Sequence, residues 1–416
     1  MSLVKESFRT LREFSAFLLI GTVIALLWAN ADYHAYHEFI HTSYFASEWL
    51  GHGHGEPLHF NFHFIVNDIF MVLFFGVAGK EVSESFLPGG ALSSLEKASM
   101  PVVGTLGGVV GPVSLFFVLH FALGTPTELT NAWAVPAATD IAYAWLFAGL
   151  IFGRGHPAVT FLLVLAVLDD MIGMIIIAVF YSTGVEPMWL GLVVLGMAAC
   201  EVLRRIGVRN FWPYILIGGP LSWLGLHQTG VHAALALVPI VPFMPHAERD
   251  AGLFTDRDDQ HDTMHEFESV FAPIVDVGLF TFGLANAGVA LTAESFTGAV
   301  TWIIFLSLVV GKTIGVWLFA WTGQKMGLTL PKRMNIKELP IIGCVAGIGF
   351  TVALFVTAVT LELEAFHNLP NYKAFGDMLK LGALLSFVAG PLAWIASKLV
   401  GVEKIHADEA GTSPGH

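Results

Sequence analysis

Charge is what this sequence has least of: Asp, Glu, Lys and Arg make up only 13% of its 416 residues, against about a quarter in soluble domains. With 55% hydrophobic residues and a mean hydropathy of +0.70, an ordinary soluble globule is excluded and a multi-spanning membrane protein is expected. Basic residues are outnumbered 20 to 33, a net charge of −13, so no basic stripe exists to neutralise phosphates and a nucleic-acid partner is excluded. Cysteine is nearly absent. Cys200 and Cys344 both fall in apolar segments, where they read as small core residues rather than a disulfide framework. The weak ten-residue alternation of an outer-membrane barrel is also missing, which leaves an all-α fold. At the N-terminus, MSLVKESFRTLREFSAFLL runs on to Ala29 without a small-residue cleavage site, so it reads as a retained first span rather than a signal peptide.

What is present is a series of apolar runs of helix-spanning length. Candidate spans are 14–30, 63–80, 98–121, 133–152, 157–181, 187–204, 211–226, 228–244, 270–290, 300–322, 338–360 and 376–399. Twelve spans put both termini on one side. On that count 17 of the 20 Lys and Arg residues fall on the terminal side, Lys373 alone on the other, and Lys312 and Lys380 inside spans. Cytoplasmic loops hold the basic excess, so both termini are expected to be cytoplasmic. Spans three to five (98–181) and ten to twelve (300–399) then run in opposite senses. Their middle members both carry helix-breaking chemistry, AVPAATDIA at 134–142 and GCVAGIGFT at 343–351. Either break alone also fits a packing glycine or a simple kink. Matching places in opposed triplets predict an inverted repeat with two interrupted helices crossing near the midplane. Residues 1–404 are expected to form one transmembrane domain, with 31–62 an external loop, 245–268 a cytoplasmic loop and 405–416 a tail.

Asp140, Asp169, Asp170 and Lys312 cannot be moved into loops without shortening a span. Each ionised group near the bilayer centre costs roughly 2.5 to 3.5 kcal/mol on insertion-based scales. Three acids and one base leave the membrane interior negative, which attracts cations. Adjacent helical positions are about 100° apart, so of Asp169 and Asp170 one can pair with Lys312 while the other faces a cavity. A carboxylate oxygen binds either a small hard cation such as Na+ or a proton, so the two ligands compete. A buried salt-bridge network serving only helix assembly is the bland alternative.

PAATDIA with Asp140, VLDDMIGMIIIAVFY with Asp169 and Asp170, QTGVHAALA with His232, FGLANAGV at 282–289, GKTIGV with Lys312 and GIGFT at 347–351 together resemble the NhaA family of sodium/proton antiporters, a family in which inverted repeats with broken helices are known. The resemblance runs from about residue 14 to residue 399. It implies that Asp170 is the principal Na+- and proton-binding carboxylate and that Asp169 pairs with Lys312. Thr139 and Asp140 would lie at the break of the fourth span beside the ion site, where Asp140 offsets like helix-dipole ends. Asp68 in IVNDIF matches a further family acid, and Glu81 and Glu268 match acids of a cytoplasmic funnel linked to pH sensing. The implied activity is electrogenic exchange of cytoplasmic Na+ or Li+ for external H+ in a bacterial inner membrane, by a homodimer joined through a hairpin in the external loop. No cofactor and no organic substrate are implied. Two departures stand out. SES follows FFGVAGKEV, leaving Ser85 where the family has a second Glu, and Asp276 interrupts the apolar run IVDVGLFT.

Three lesser features remain. GHGHGE offers His52, His54 and Glu56, but two His at i and i+2 in a loop lack a tetrahedral arrangement, so a solvated loop is the better reading. PLHFNFH alternates as a strand does. His232 can titrate near neutral pH or simply hydrogen-bond a neighbouring helix. Two other functions fit the intramembrane acids less well: a Na+-coupled solute symporter, and an intramembrane aspartyl protease using Asp140 and Asp170 as a dyad.

Overall fold

The computed structural model describes residues 16–52, 56–182, 184–246, 262–367, 369, 371–402 and 404. Its longer helices, in chain order, are α1 (Ala16–Ala31), α2 (Tyr33–His41), α3 (Phe62–Ser85), α4 (Leu95–Leu123), α5 (Ile141–Phe152), α6 (Pro157–Phe180), α7 (Leu190–Arg205), α8 (Gly219–Thr229), α9 (Thr263–Asn286), α10 (Ala299–Lys325), α11 (Leu339–Ala346), α12 (Phe350–Leu361) and α13 (Tyr372–Val400). Strands β1 (Phe45–His52) and β2 (Glu56–Phe60) form an antiparallel hairpin between α2 and α3. Among the described residues seven helices are long and apolar enough to cross a membrane, or nine when two bent pairs are each counted as one span. The protein is a multi-pass, mostly helical membrane protein.

The chain divides into two compact units, the first from residues 1–90 and 174–290, the second from 91–173 and 291–416. In the first, Cys200, Phe211, Tyr214, Met264, Phe267 and Phe271 form an apolar core; Cys200 packs there as the small hydrophobe expected of it. One polar contact inside this unit is fully specified by its hydrogen bonds. The π-helical turn Ile65–Phe70 within α3 presents Asn67 to Asn286 at the end of α9. Asn286 Nδ2 donates to Phe282 O (3.1 Å) and to Asn67 Oδ1 (2.9 Å). That fixes the Asn67 amide, whose Nδ2 then donates to Asn286 Oδ1 (3.2 Å) and meets His63 Nε2 at 2.8 Å. His63 Nε2 must therefore accept, as a neutral imidazole does. Buried amides satisfied in this way specify one packing of two helices.

The eighth expected span, 228–244, is not a helix. After α8 ends at Thr229, Gly230 turns at φ 84°, and the chain proceeds through short 3-10 turns at Ala233–Leu235 and Val241–Phe243. Pro239 and Pro242 remove the N–H donors a continuous helix needs. Ala233 through Leu237, with Ile240 and Val241, are buried in protein, the condition under which non-helical backbone is tolerated at membrane depth. His232 accordingly caps the first of these turns, its Nδ1 accepting from Ala234 N–H at 3.3 Å, instead of lying within a span. The strand-like PLHFNFH is only partly a strand. β2 ends at Phe60, and Asn61 Oδ1 accepts from Phe64 N–H (2.8 Å) to start α3; of the GHGHGE stretch, residues 53–55, with His54, lie outside the described residues.

In the second unit α4 and α10 meet through glycines. A Cβ on Gly107 would come within 2.2 Å of Gly315 O, one on Gly111 within 2.3 Å of Gly311 O, and one on Gly315 within 2.0 Å of Gly107 O. Two small-xxx-small stripes thus let the backbones touch, and Lys312 lies between the two glycines of the α10 stripe. A π-helical turn at Ser307–Gly311 immediately precedes that lysine, a local widening common at functional positions.

Candidate ion-binding site

The fourth and eleventh expected spans are both broken, by 51° between residues 127–137 and α5, and by 47° between residues 336–346 and α12. Pro136 lies in a short 3-10 turn, Val135–Ala137, that runs out into extended Ala138, while Gly347 and Gly349 end one helical segment and open the next. The breaks hold each other. Asp140 N–H donates to Ile348 O at 2.7 Å, and Thr139 Oγ1 donates to Ala346 O at 2.8 Å.

Asp140 serves two helix starts at once. Its Oδ1 accepts from Tyr143 N–H (3.3 Å), capping α5, and its Oδ2 accepts from Thr351 N–H (3.0 Å) in the first turn of α12. The Thr351 hydroxyl also donates to Oδ2. Each helix N-terminus carries roughly half a positive charge, so one carboxylate lies where two positive ends converge. The opposite ends are treated in kind. Ala346 O, a terminal carbonyl of α11, accepts from Thr139 Oγ1, which in turn accepts from Lys312 Nζ at 2.5 Å. The ammonium thereby faces the negative end of a helix through one hydroxyl.

Lys312 Nζ also donates to Asp169 Oδ2, and neither side chain of that pair is exposed. Asp169 and Asp170 lie on α6, whose residues 161–170 are all buried. Asp170 is 8% exposed. Its Oδ1, like Oδ1 of Asp169, is buried with no hydrogen-bond partner among the described residues. Asp169, Asp140 and Lys312 are the charges within electrostatic reach of Asp170. The structure therefore brings Thr139, Asp140, Asp169, Asp170 and Lys312 together in one unit, joined by Thr351. A buried carboxylate oxygen without a donor binds what supplies positive charge directly: a proton or a hard cation.

The remaining candidates lie in the first unit. Lys80 is fully buried and gathers three carboxylates, Glu81 at 3.3 Å, Glu84 at 2.7 Å and Glu268 at 2.5 Å, with His265 Nδ1 3.8 Å from Glu268. Ser85, where the resemblance leads to the expectation of a second Glu, donates to Val82 O; Glu84, one residue earlier and one turn from Lys80, brings a carboxylate to the cluster. Asp68 stands 3.8 Å from His232 Nδ1, and Asp276 is half-buried on α9. Sequence reasoning missed Lys80, Glu84 and Thr351 as site residues. Lys80 ends the expected span 63–80 and so blends with the flanking basic residues, although its i, i+4 spacing to Glu84 is readable; Thr351 lies within the GIGFT motif, and its partner is 211 residues away.

Comparison with known proteins covers nearly the whole chain. The model of the family described as Na+/H+ antiporter 1 matches residues 5–396. The chain belongs to that family. A "Na(+)/H(+) antiporter NhaA" from Geobacter sulfurreducens is 46% identical over 406 residues, covering 97% of this chain and 100% of that one. Another from Desulfitobacterium hafniense is 44% identical over 414 residues, covering 99% and 100%. Among solved structures, the sodium proton antiporter MjNhaP1 from Methanocaldococcus jannaschii matches with a TM-score of 0.57 over 95% of each chain. At 14% identity that likeness speaks to the fold alone. Within the Na+/H+ antiporter 1 family, the broken pair of helices and the α6 carboxylates are therefore parts of an ion-transport protein.

Proposed function

We propose that the protein exchanges cytoplasmic Na+ (or Li+) for external H+ at Asp170, electrogenically and under pH control, in sodium and pH homeostasis. One observation carries the reading: the sole base of the site, Lys312, is taken by Asp169 and Thr139, while buried Asp170 keeps an oxygen without a donor. A proton and a Na+ ion compete for that oxygen. Outward-facing Asp170 takes a proton, releases it to the cytoplasm as Na+ binds in its place, and returns with the cation; this carboxylate alone exchanges one proton for one Na+, so the electrogenic cycle requires a second proton carried by another titratable group of the site. Asp169, Asp140 and Thr139 supply further oxygens of the right chemistry around Asp170, and Lys312 holds Asp169 in place.

In this reading the transporter domain of residues 1–404 crosses the membrane twelve times, the buried turns of 233–243 forming the eighth passage. The opposed triplets 98–181 and 300–399 form an inverted repeat whose rocking alternates access. The basic excess places both termini in the cytoplasm of a bacterial inner membrane, and the β1–β2 hairpin joins two protomers. Glu81 and Glu268, sharing Lys80, and His232 beside Asp68 are the groups proposed to sense pH. The cycle calls for no cofactor beyond the transported ions and no organic substrate, and it transports without catalysing a reaction. Asp140, whose two oxygens are committed to Tyr143 and Thr351, is poorly placed to share a proton with Asp170 as a protease dyad must.

In everted vesicles Na+ is expected to dissipate a pre-formed proton gradient, and Asp170→Asn to abolish the response. Full Na+ response in that variant refutes the assignment. Na+ uptake driven by an organic solute, without opposing proton flow, would establish a symporter instead.

A further inference from the structure

The second unit carries a groove of about 660 Å³ at one end of three helical segments, apart from the carboxylate site. One wall is Trp317 and Trp321, a turn apart on α10 and stacked with ring centroids 6.5 Å apart. Ile336 and Pro340, at the start of the α11 segment, form a second side, and Leu399 and Val400, at the end of α13, a third. These walls are open to the surroundings: Leu399 is 84% exposed, and both indoles and Val400 are exposed too. Contiguous exposed apolar surface is unfavourable in water and neutral against acyl chains. Trp317 precedes the end of α10 at Lys325 by eight residues, about 12 Å along a helix axis. The groove thus runs from the helix ends down to acyl-chain depth.

Its mouth is cationic. Lys337 is part of the lining, Lys325 Nζ lies over the Trp321 ring at 5.7 Å, and Lys398 Nζ over the Trp394 ring at 4.1 Å. None of these three lysines has an ion pair among the described residues. Glu338, next to Lys337 in sequence, is engaged elsewhere, Oε2 accepting from Asn335 N–H (3.1 Å) and Oε1 lying 3.8 Å from His156. Lys325 and Lys337, with no carboxylate partner among the described residues, therefore flank an apolar furrow walled by indoles, and Lys398 adjoins the lining residue Leu399 in sequence; the arrangement suits a membrane interface.

We propose that this groove binds an anionic phospholipid, its headgroup phosphate among Lys325, Lys337 and Lys398 and one acyl chain against Trp317, Trp321, Leu399 and Val400. A zwitterionic lipid would leave the three charges unmatched, and a soluble phosphate would leave the walls uncovered. The basic residues of this end also place it on the cytoplasmic face, where anionic lipids concentrate.

The test uses the full-length protein in phosphatidylcholine vesicles containing a minor fraction of either phosphatidylglycerol or phosphatidylcholine with brominated chains, which quench nearby indoles. Subtracting the signal of Trp317→Phe/Trp321→Phe isolates the two groove tryptophans. Brominated phosphatidylglycerol is expected to quench them preferentially, and each Lys→Gln change at 325, 337 or 398 to reduce that preference about fivefold. Equal quenching by the two lipids, or undiminished preference in the triple Lys→Gln variant, overturns the proposal. So does full displacement of the brominated lipid by inorganic phosphate at fixed ionic strength, which would assign the lysines to a soluble anion. Unchanged Na+-driven proton exchange by the triple variant shows that it is folded.

Discussion

Replacing Lys312 by Met tests whether the Asp169–Lys312 contact is an isolated buried pair. Both side chains are fully shielded. Removing the base alone strands Asp169 in the protein interior and takes the ammonium donor from Thr139 Oγ1. Breaking one side of such a pair typically costs about 3 to 5 kcal/mol, or roughly two to three and a half orders of magnitude in the folding equilibrium. Replacing both members by uncharged residues of similar size removes the stranded charge, and such replacements are often neutral or stabilising. Lys312→Met should therefore be far less stable than Lys312→Met/Asp169→Asn, which should lie within about 1 kcal/mol of the wild type. Reversible unfolding in mixed micelles of increasing sodium dodecyl sulfate fraction measures all three, with Asp169→Asn closing the cycle. A coupling energy below about 0.5 kcal/mol, the size expected of an exposed pair, would refute the reasoning. So would a double variant no more stable than Lys312→Met.

Three further outcomes are expected. His156, in the loop between α5 and α6, is buried; burial holds its imidazole below the usual 6.5 although Glu338 pulls the other way, and its Nδ1 accepts from Ala158 N–H at 3.1 Å. The unfolded chain thus binds this proton first, so the contribution is whole above about pH 6.5 and is lost as pH falls below it. Melting temperatures should show His156→Leu less stable than wild type at pH 8 by about 1 kcal/mol, with a shallower decline toward pH 5; parallel curves would contradict the assignment. Asn67→Ala leaves both polar atoms of the Asn286 amide short of a partner and should cost about 1 to 3 kcal/mol, whereas Asn67→Ala/Asn286→Ala should cost less than the sum of the single changes in the same unfolding assay. Gly315→Ala, whose new methyl would lie 2.0 Å from Gly107 O, should lose at least about 1 to 3 kcal/mol and impair exchange in vesicles with every site carboxylate intact; normal stability would mean that α4 and α10 can separate freely.

The legibility of the fold followed the physics of each segment. Long apolar runs announce themselves through length and composition, which is why 98–121, 157–181 and 300–322 correspond closely to α4, α6 and α10. The two breaks were readable because proline and glycine act locally. The passage at 228–244 was not: its apolar composition is that of a span, and the prolines at 239 and 242 weigh against a helix only where surrounding protein can shelter the freed backbone groups. The site was legible to the extent that a charge inside a span is conspicuous. Asp140, Asp169, Asp170 and Lys312 met that test from sequence. Thr351 and Ala346 did not, since a threonine hydroxyl and a backbone carbonyl are inconspicuous in a membrane helix, and their roles depend on contacts more than 200 residues away.

The same contacts explain why the intramembrane charges need not collapse into mutual neutralisation. Asp140 is held by two helix N-termini and a hydroxyl, and Lys312 by Asp169 together with a hydroxyl that leads to a helix C-terminal carbonyl. Each of these charges has local, fixed compensation that does not involve Asp170. Had Lys312 instead been shared between the two adjacent aspartates, an arriving Na+ ion would have to displace an ammonium as well as a proton, and proton release would no longer track cation uptake. Committing the lysine to Asp169 leaves Asp170 with a buried oxygen that no donor in the described residues satisfies. In the proposed cycle exchange follows from occupancy, since that oxygen would hold one ion at a time.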